Sequence, residues 1–353
     1  MRKHYLDTLR VGTIFIVIIM HILLLYSNPN MPYYIKAGFS NDLLTIIISA
    51  FLVWLMPLLF TIAGITSYYS LKKRDVKGYF KERVSRLLIP FISSMILLNP
   101  ILSYFGMKFH ENLSVGFFNY YLTSFTFIDS SGFEGGLTLG PAWFILFLFL
   151  VSVIAVPFIK RFELTNKDFS IPSIVLIGLI PTLLFPILNL GDYMGAGKSI
   201  AVYLAFFLLG YYVLANDNVM EKLEKNKIII GLLTLLLTVV YFIGCITANI
   251  IFVSIFSYYV VFFGWICILF LLTLGKIYLN KTNNIAQYLS ESSFSIYIFH
   301  EPILIAIAFY MIQFTSDIFI QMISILLLTI PITLGVYTIC KKFKVTKFLF
   351  GIK

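Results

Sequence analysis

Apolar runs of about twenty residues recur along the chain, and they constrain its fold more than any other feature. Of the 353 residues, 60% are hydrophobic and only 12% are charged. A run of about 20 apolar residues crosses the hydrocarbon core of a bilayer as a helix, whereas the strands of a membrane barrel alternate in short segments. The sequence therefore predicts an all-α, polytopic integral membrane protein.

We predict about ten transmembrane helices, and the distribution of basic residues supports an even number. All but three of the 26 Lys and Arg residues fall in the two ends and in alternate loops, and the three on the other side are Lys36, Lys108 and Lys198. Because Lys and Arg concentrate on the cytoplasmic side, we expect cytoplasmic N- and C-termini. The predicted spans are residues 11–27, 43–70, 87–106, 141–159, 171–190, 198–215, 228–248, 251–274, 292–313 and 318–340.

Other sequence features limit the classes of protein that fit. We predict one membrane domain over residues 1–353 without a soluble domain, and no small-residue cleavage site follows the first apolar run. The net charge of +10 follows the orientation pattern and does not indicate nucleic-acid binding. The three cysteines lie in apolar runs, so we predict no metal site. The long outer loop 107–140 has a Gly-rich end and could form a partly inserted flap.

Ionisable side chains at membrane depth cost at least about 2.5–3.5 kcal/mol each, so each one marks a candidate site. His21 lies in the first apolar run. On a helix it shares a face with Arg10, about 16 Å away, and with Asp7, one turn before Arg10. His21 is either a neutral imidazole bonded to a neighbouring helix or a general base or acid in a polar cavity. Asp7 and Arg10 either cap the helix start or belong to the same site.

Two further groups of residues have both a structural and a functional interpretation. His300 and Glu301 lie in FSIYIFHEPILI, where they either satisfy each other or orient a reacting group. Arg83 and Arg86 are three residues apart, hence neighbours on a helix, and they suit either anionic lipid or the phosphates of a cytosolic ligand. Trp143 begins the fourth predicted span, where tryptophan commonly anchors a helix at the interface.

Taken together, these residues resemble the membrane acyltransferase-3 family. The chain departs from the family pattern at Ala63, where many members carry Ser, and at Ala142, where many carry a larger residue. The segment HILLLYS at 21–27 looks most like the glucan-succinylating branch, the glucans biosynthesis protein C type. The matching motifs, in order, are YLDTLR at 5–10, His21, LFTIAG at 59–64, KERVSRLLIP at 81–90, GPAWFILFLFL at 140–150 and SFSIYIFHEPI at 293–303.

The resemblance implies a multi-pass O-acyltransferase of a bacterial cell membrane. Such an enzyme moves an acetyl or succinyl group from cytosolic acyl-CoA, a co-substrate rather than a bound cofactor, to a hydroxyl of a cell-surface or exported saccharide or a glycolipid. Its expected partners are these substrates and the lipid bilayer, without nucleic acid. The residues that match family positions are the catalytic His21, the acid–arginine pair Asp7 and Arg10, the acyl-donor arginines Arg83 and Arg86, and Trp143 of the Trp-Phe motif. We expect His300 and Glu301, like Trp143, to bind the acceptor or to support the site.

A transporter or flippase for a glycan or lipid intermediate is the main alternative. Intramembrane His and Glu would then relay protons or bind the substrate. Interrupted helices in matching halves of the chain would favour this function, and the sequence contains no convincing pair. A membrane sensor without chemistry is a third interpretation, and it fits the donor-like arginine site poorly.

Overall fold

The computed structural model describes residues 3–129, 134–162, 169–187, 199–247 and 250–352. Lys198, residues 130–133 of the long outer loop and the end of the predicted span 171–190 lie outside these ranges. Within them the chain forms helices and one isolated bridge between Ile128 and Leu137. The prediction of an all-α protein is therefore confirmed for the described residues.

The helices vary in length, and the long ones follow the apolar runs. In chain order the helices are α1 (His4–Leu24), α2 (Asp42–Leu71), α3 (Val76–His110), α4 (Phe117–Tyr121), α5 (Ala142–Arg161), α6 (Ile171–Leu183), α7 (Ile200–Leu214), α8 (Asp217–Lys225), α9 (Lys227–Thr247), α10 (Ile250–Tyr278), α11 (Asn284–Phe314), α12 (Ile318–Cys340) and α13 (Lys344–Leu349).

Eight helices of the described chain are long and apolar enough to cross a bilayer, and counting the bent pair α7–α8 gives up to nine. They overlap all the predicted spans except the fifth. There α6 extends only about 20 Å at 1.5 Å per residue, less than the ~30 Å hydrocarbon core. Within α6 the helix is interrupted at residues 177–178, because Pro181 provides no N–H for the carbonyl of Ile177 and its ring crowds that carbonyl. Helix α7 ends in a π-turn, after which α8 turns away by 89°.

Two glycines bring α2 and α7 into close contact. A Cβ on Gly64 would overlap the carbonyl oxygen of Phe207, and a Cβ on Gly210 would overlap that of Thr61. Small residues at such positions let two membrane helices approach until their backbones touch. Gly64 of the LFTIAG segment therefore has a packing role.

Three ion pairs connect basic segments of the chain. Two of them join the N-terminal segment and the end of α10 to α8, and the third joins the start of α11 to the chain after α12. Each pair lies between segments that the predicted topology places on the same side of the membrane. The pairs are Lys3 with Asp217, Lys276 with Glu224 at 3.1 Å, and Lys341 with Glu291 at 3.5 Å.

The end of the long outer loop folds back among the helices. Asn99 of α3 donates to the backbone oxygens of Thr138 (2.6 Å) and Leu139 (2.9 Å), and Ser103 donates to the backbone oxygen of Gly136 (2.6 Å). Both α3 side chains are buried. Since backbone groups at membrane depth need polar partners, these bonds allow residues 134–141, here called the flap, to lie inside the protein.

Candidate functional site

Helices α1 and α11 run parallel and meet through polar side chains at two levels. At one level the guanidinium of Arg10 donates to Oγ of Ser290 at 3.2 Å. At the other, Nδ1 of His21 lies 2.9 Å from Nε2 of His300. Because α1 begins at His4, earlier than predicted, Asp7 and Arg10 lie on the same helix as His21. The stripe that carries these side chains therefore packs along α11.

The hydrogen bonds assign the tautomers of the two histidines. Nδ1 of His300 lies 2.7 Å from the backbone oxygen of Tyr297, and a carbonyl only accepts, so this nitrogen carries the hydrogen. In a neutral His300, Nε2 then accepts from Nδ1–H of His21. The remaining nitrogen of His21, Nε2, therefore has a free lone pair and can accept a proton.

A carboxylate lies beside this lone pair. Oε1 of Glu301 is 3.6 Å from Nε2 of His21, and the phenol of Tyr33 donates to the same oxygen at 3.0 Å. Glu301 and His300 are almost fully buried, and the side chain of His21 is about one-fifth exposed. A protonated His21 would thus face a negative charge inside the protein, where such an interaction is strong.

The loop between α1 and α2 covers this group at the end of α1 that lies away from Arg10. The ring of Tyr33 stacks 6.0 Å from that of His21, and the hydroxyl of Tyr34 meets Thr138 of the flap at 3.3 Å. Burial and the nearby Glu301 raise the pKa of Tyr33, so the phenol stays protonated and donates. The ammonium of Lys36 holds the loop to the end of α1, and burial lowers its pKa to about 8.

The Asp7–Arg10 pair lies at the opposite end of α1. Its side chains bond at 3.0 Å. A small cleft opens between the starts of α1 and α11, and its lining includes Asp7, Thr8, Gln287 and Ser290. The cleft borders the stripe on the side of the basic segments.

Arg83 and Arg86 have different surroundings, although the sequence predicts neighbours on one helical face. Arg83 directly precedes a π-turn over Val84–Leu88, and Arg86 lies within that turn. Arg83 donates to Oγ of Ser67 at 3.0 Å and lies over the ring of Tyr79, whereas Arg86 pairs with Glu82 at 3.4 Å. Their described contacts do not join them to His21 or Arg10. The described contacts of the two arginines therefore belong neither to the His21 group nor to the Asp7–Arg10 pair.

Trp143 belongs to a chain of ring contacts that reaches His300 through Phe144 and Tyr297. Its ring packs against those of Phe147 (5.3 Å) and Tyr203 (5.8 Å). The helix start that carries it contacts the site through Tyr297, whose hydroxyl donates to the backbone oxygen of Pro141 at 2.7 Å. Trp143 can therefore support the shape of the site through α5.

The structure thus brings together His21, His300 and Glu301, and separately Asp7 with Arg10. Sequence reasoning missed Tyr33, because a tyrosine in a polar loop has no periodicity that would link it to a residue 268 positions later. In the described part of the chain, no group of three His, Cys, Asp or Glu side chains could hold a metal ion. What the first group offers chemically is a proton acceptor with a fixed tautomer and a carboxylate beside it.

Comparisons with known proteins bear on the family of the chain. The profile of the acyltransferase-3 family, described as an acyltransferase domain, matches residues 3–340. Glucans biosynthesis protein C from Escherichia coli strain K12 is 25% identical over 232 aligned residues, and so is that from E. coli O157:H7. Each alignment covers 59% of this chain and 57% of the relative, so the chain spans less than two thirds of these proteins. No solved structure matches.

Proposed function

The chain belongs to the acyltransferase-3 family, and from this we propose that it moves an acyl group from cytosolic acyl-CoA to a hydroxyl of a saccharide or glycolipid at a bacterial cell membrane. The observation that carries the proposal is the buried group of His21, His300 and Glu301. A saccharide acceptor is also in keeping with the name of the relatives, glucans biosynthesis protein C.

His21 is the general base in this proposal. Its Nε2 takes the proton of the acceptor hydroxyl as that oxygen attacks the thioester carbonyl carbon. The C–S bond then breaks, and the departing thiolate takes the proton from His21, which releases CoA and the acylated acceptor. Glu301 stabilises the transient imidazolium, and His300 keeps the ring in the required tautomer. A covalent acyl-His21 intermediate is the variant of this mechanism in which His21 attacks first.

The acyl donor enters from the cytoplasmic side in this proposal. With both termini in the cytoplasm and about ten crossings, the basic segments and the cleft beside Asp7 and Arg10 face the cytosol. Arg83 and Arg86 bind the phosphates of CoA, for which guanidinium groups are suited. Binding there requires Arg86 to exchange its partner Glu82 for a phosphate.

Thiol release by purified protein tests the proposal. The assay combines acetyl-CoA or succinyl-CoA with candidate saccharides, using wild-type protein and His21→Ala. We expect His21→Ala to abolish transfer while its chromatographic profile and melting temperature stay those of the wild type. His110→Ala is the matched control, since this histidine ends α3 at an exposed position, and it should keep full activity.

A His21→Ala variant that transfers at the wild-type rate would refute the proposed role of His21. The transport alternative makes a different prediction, because a flippase releases no thiol from acyl-CoA with any acceptor. Analysis of surface glycans by mass spectrometry in a deletion strain would then identify the acceptor by the ester it loses.

A further inference from the structure

Residues 113–128 of the long loop run back along α3, toward the apolar part of that helix. The hydroxyl of Tyr104 donates to the backbone oxygen of Val115 at 3.4 Å. Further along the loop, the hydroxyl of Tyr121 donates to the backbone oxygen of Ile96 at 2.9 Å. Because Tyr104 and Ile96 are eight residues apart on α3, the loop follows this helix for about 12 Å between the two contacts.

Ile96 lies at the middle of a membrane span. Residues 87–107 of α3, between Arg86 and Lys108, contain no Asp, Glu, Lys or Arg. At 1.5 Å per residue they extend about 31 Å, which matches the ~30 Å hydrocarbon core. Ile96 is about 15 Å from Arg86 and about 18 Å from Lys108 along the helix. Asn99, one turn further, bonds the flap, which in turn contacts the loop that covers the histidines.

The bond from Tyr121 to α3 has a cause in the sequence. In a regular helix the carbonyl of Ile96 accepts from the N–H of residue 100, and Pro100 has no N–H. A backbone oxygen at membrane depth is costly without a donor. The hydroxyl of Tyr121 provides that donor from outside the helix, and it thereby ties the loop to α3 at this depth.

Several side chains of this part of the loop are apolar and exposed. Phe118 is 90% exposed, Leu122 is 76% exposed and Ile128 is 77% exposed. Residues 113–128 contain no Asp, Glu, Lys, Arg or His. An apolar surface of this kind marks contact with another protein or with a membrane. The depth of Ile96, which is itself exposed on α3, favours the hydrocarbon of the bilayer.

We propose that residues 113–128, here called the re-entrant segment, are embedded in the bilayer and that their exposed face contacts lipid acyl chains. In the predicted topology these acyl chains belong to the outer leaflet. The hydroxyl of Tyr120 donates to the backbone oxygen of Gly135 in the flap at 2.8 Å, so the lipid-facing segment and the flap are connected. This lipid contact does not depend on the proposed acyltransfer.

Photo-cross-linking to lipid tests the proposal in the full-length protein. p-Benzoylphenylalanine replaces Phe118 or Leu122 in protein reconstituted into phosphatidylcholine nanodiscs, and mass spectrometry detects adducts after irradiation. We expect phospholipid adducts at both positions, and base hydrolysis should leave a fatty acid on the protein, because the new bond is to an acyl chain. Ile92, exposed on α3, is the positive control. Asn112, exposed beyond the end of α3, should give no acyl-chain adduct.

The variant Tyr121→Phe provides a second measurement. Inside a membrane no water can replace the lost hydroxyl at the oxygen of Ile96, so we expect a lower melting temperature than that of the wild type. In an aqueous loop water would take its place, and an unchanged melting temperature would therefore contradict the insertion. Tyr310→Phe, at an exposed tyrosine of α11, is the matched control and should melt as the wild type does.

The absence of lipid adducts at Phe118 and Leu122, with adducts at Ile92, would overturn the proposal. Adducts to a second copy of the chain or to another protein, in place of lipid, would do the same, because the exposed face would then be a protein interface. Hydrogen exchange of the wild type in nanodiscs decides where the variants do not fold. A helix as short as α4 is marginal in water, so amides of residues 117–125 that exchange as fast as those of residues 280–283 would also refute the insertion, and slower exchange is the expected result.

Discussion

The bond between the two histidines leads to a prediction about His300. Two substitutions separate its hydrogen-bonding role from its bulk. In Gln the amide reaches about as far as Nε2 of histidine and keeps an acceptor for Nδ1–H of His21. In Asn the amide reaches only about as far as Nδ1 and can donate to the backbone oxygen of Tyr297 but cannot reach His21.

The size of the effect follows from the charge that His21 acquires. As His21 takes a proton, its bond to His300, 2.9 Å long, becomes a hydrogen bond from a charged donor, and such bonds contribute about 1.5–3 kcal/mol. Each 1.36 kcal/mol of barrier changes the rate tenfold. We therefore expect His300→Asn to lower kcat by about 10- to 150-fold, and His300→Gln to keep most of the rate.

The assay is thiol release over a range of acyl-CoA concentrations, so that kcat and KM are obtained separately. The loss should appear in kcat, since the bond strengthens only in the transition state. Equal rates in the Asn and Gln variants would refute the assigned tautomers. A loss confined to the KM of acyl-CoA would show that His300 acts in donor binding instead.

Three further predictions concern packing, donor binding and pH. Gly64→Ala should lower the free energy of unfolding by about 1–3 kcal/mol through overlap with the backbone of α7, which would appear as a lower melting temperature. Gly12→Ala, where a Cβ meets open space, should leave the melting temperature unchanged. Arg83→Ala should raise the KM for acyl-CoA by about tenfold, the effect expected from losing one charged hydrogen bond, and it should lower kcat by less. Arg74→Ala should leave both constants unchanged. Burial lowers the pKa of Lys36 from 10.5 to about 8, so between these values the unfolded chain holds more protons and stability rises with pH. The melting temperature of the wild type minus that of Lys36→Met should therefore increase from about pH 8 to about pH 10.

A specific result would contradict each of these three predictions. Equal melting temperatures for the two glycine variants would contradict the backbone contact between α2 and α7. A fall in kcat alone for Arg83→Ala would remove this residue from donor docking. A difference between the wild type and Lys36→Met that stays constant with pH would mean that Lys36 titrates as it does in the unfolded chain.

The sequence located the ionisable residues of the site but not their contacts. His21, His300 and Glu301 stand out because charged or titratable groups within apolar runs are costly. Their meeting across 279 positions depends on the parallel packing of α1 and α11, for which helical periodicity contains no signal. Tyr33 was missed for a related reason, since the conformation of an irregular loop depends on the helices that it joins.

The differences from prediction have local causes. The apolar run at 171–190 predicts a full span, but Pro181 interrupts it, so length and composition alone were insufficient there. For Arg83 and Arg86, the three-residue spacing predicts one shared face only on a regular α-helix, and a π-turn changes the relation between successive side chains. The long apolar helices were predictable because twenty apolar residues have few alternatives in a membrane.

The parallel pairing of α1 with α11 has a consequence for how the protein is made. The first helix enters the membrane early in translation, yet the partners of its imidazole are synthesised about 280 residues later. At about 5–20 residues per second, that interval lasts roughly 14–56 seconds. During this time the nascent chain contains His21 but not His300 or Glu301. Under the proposed mechanism, activity therefore requires α11, and a chain interrupted before α11 would lie in the bilayer without the partners of His21.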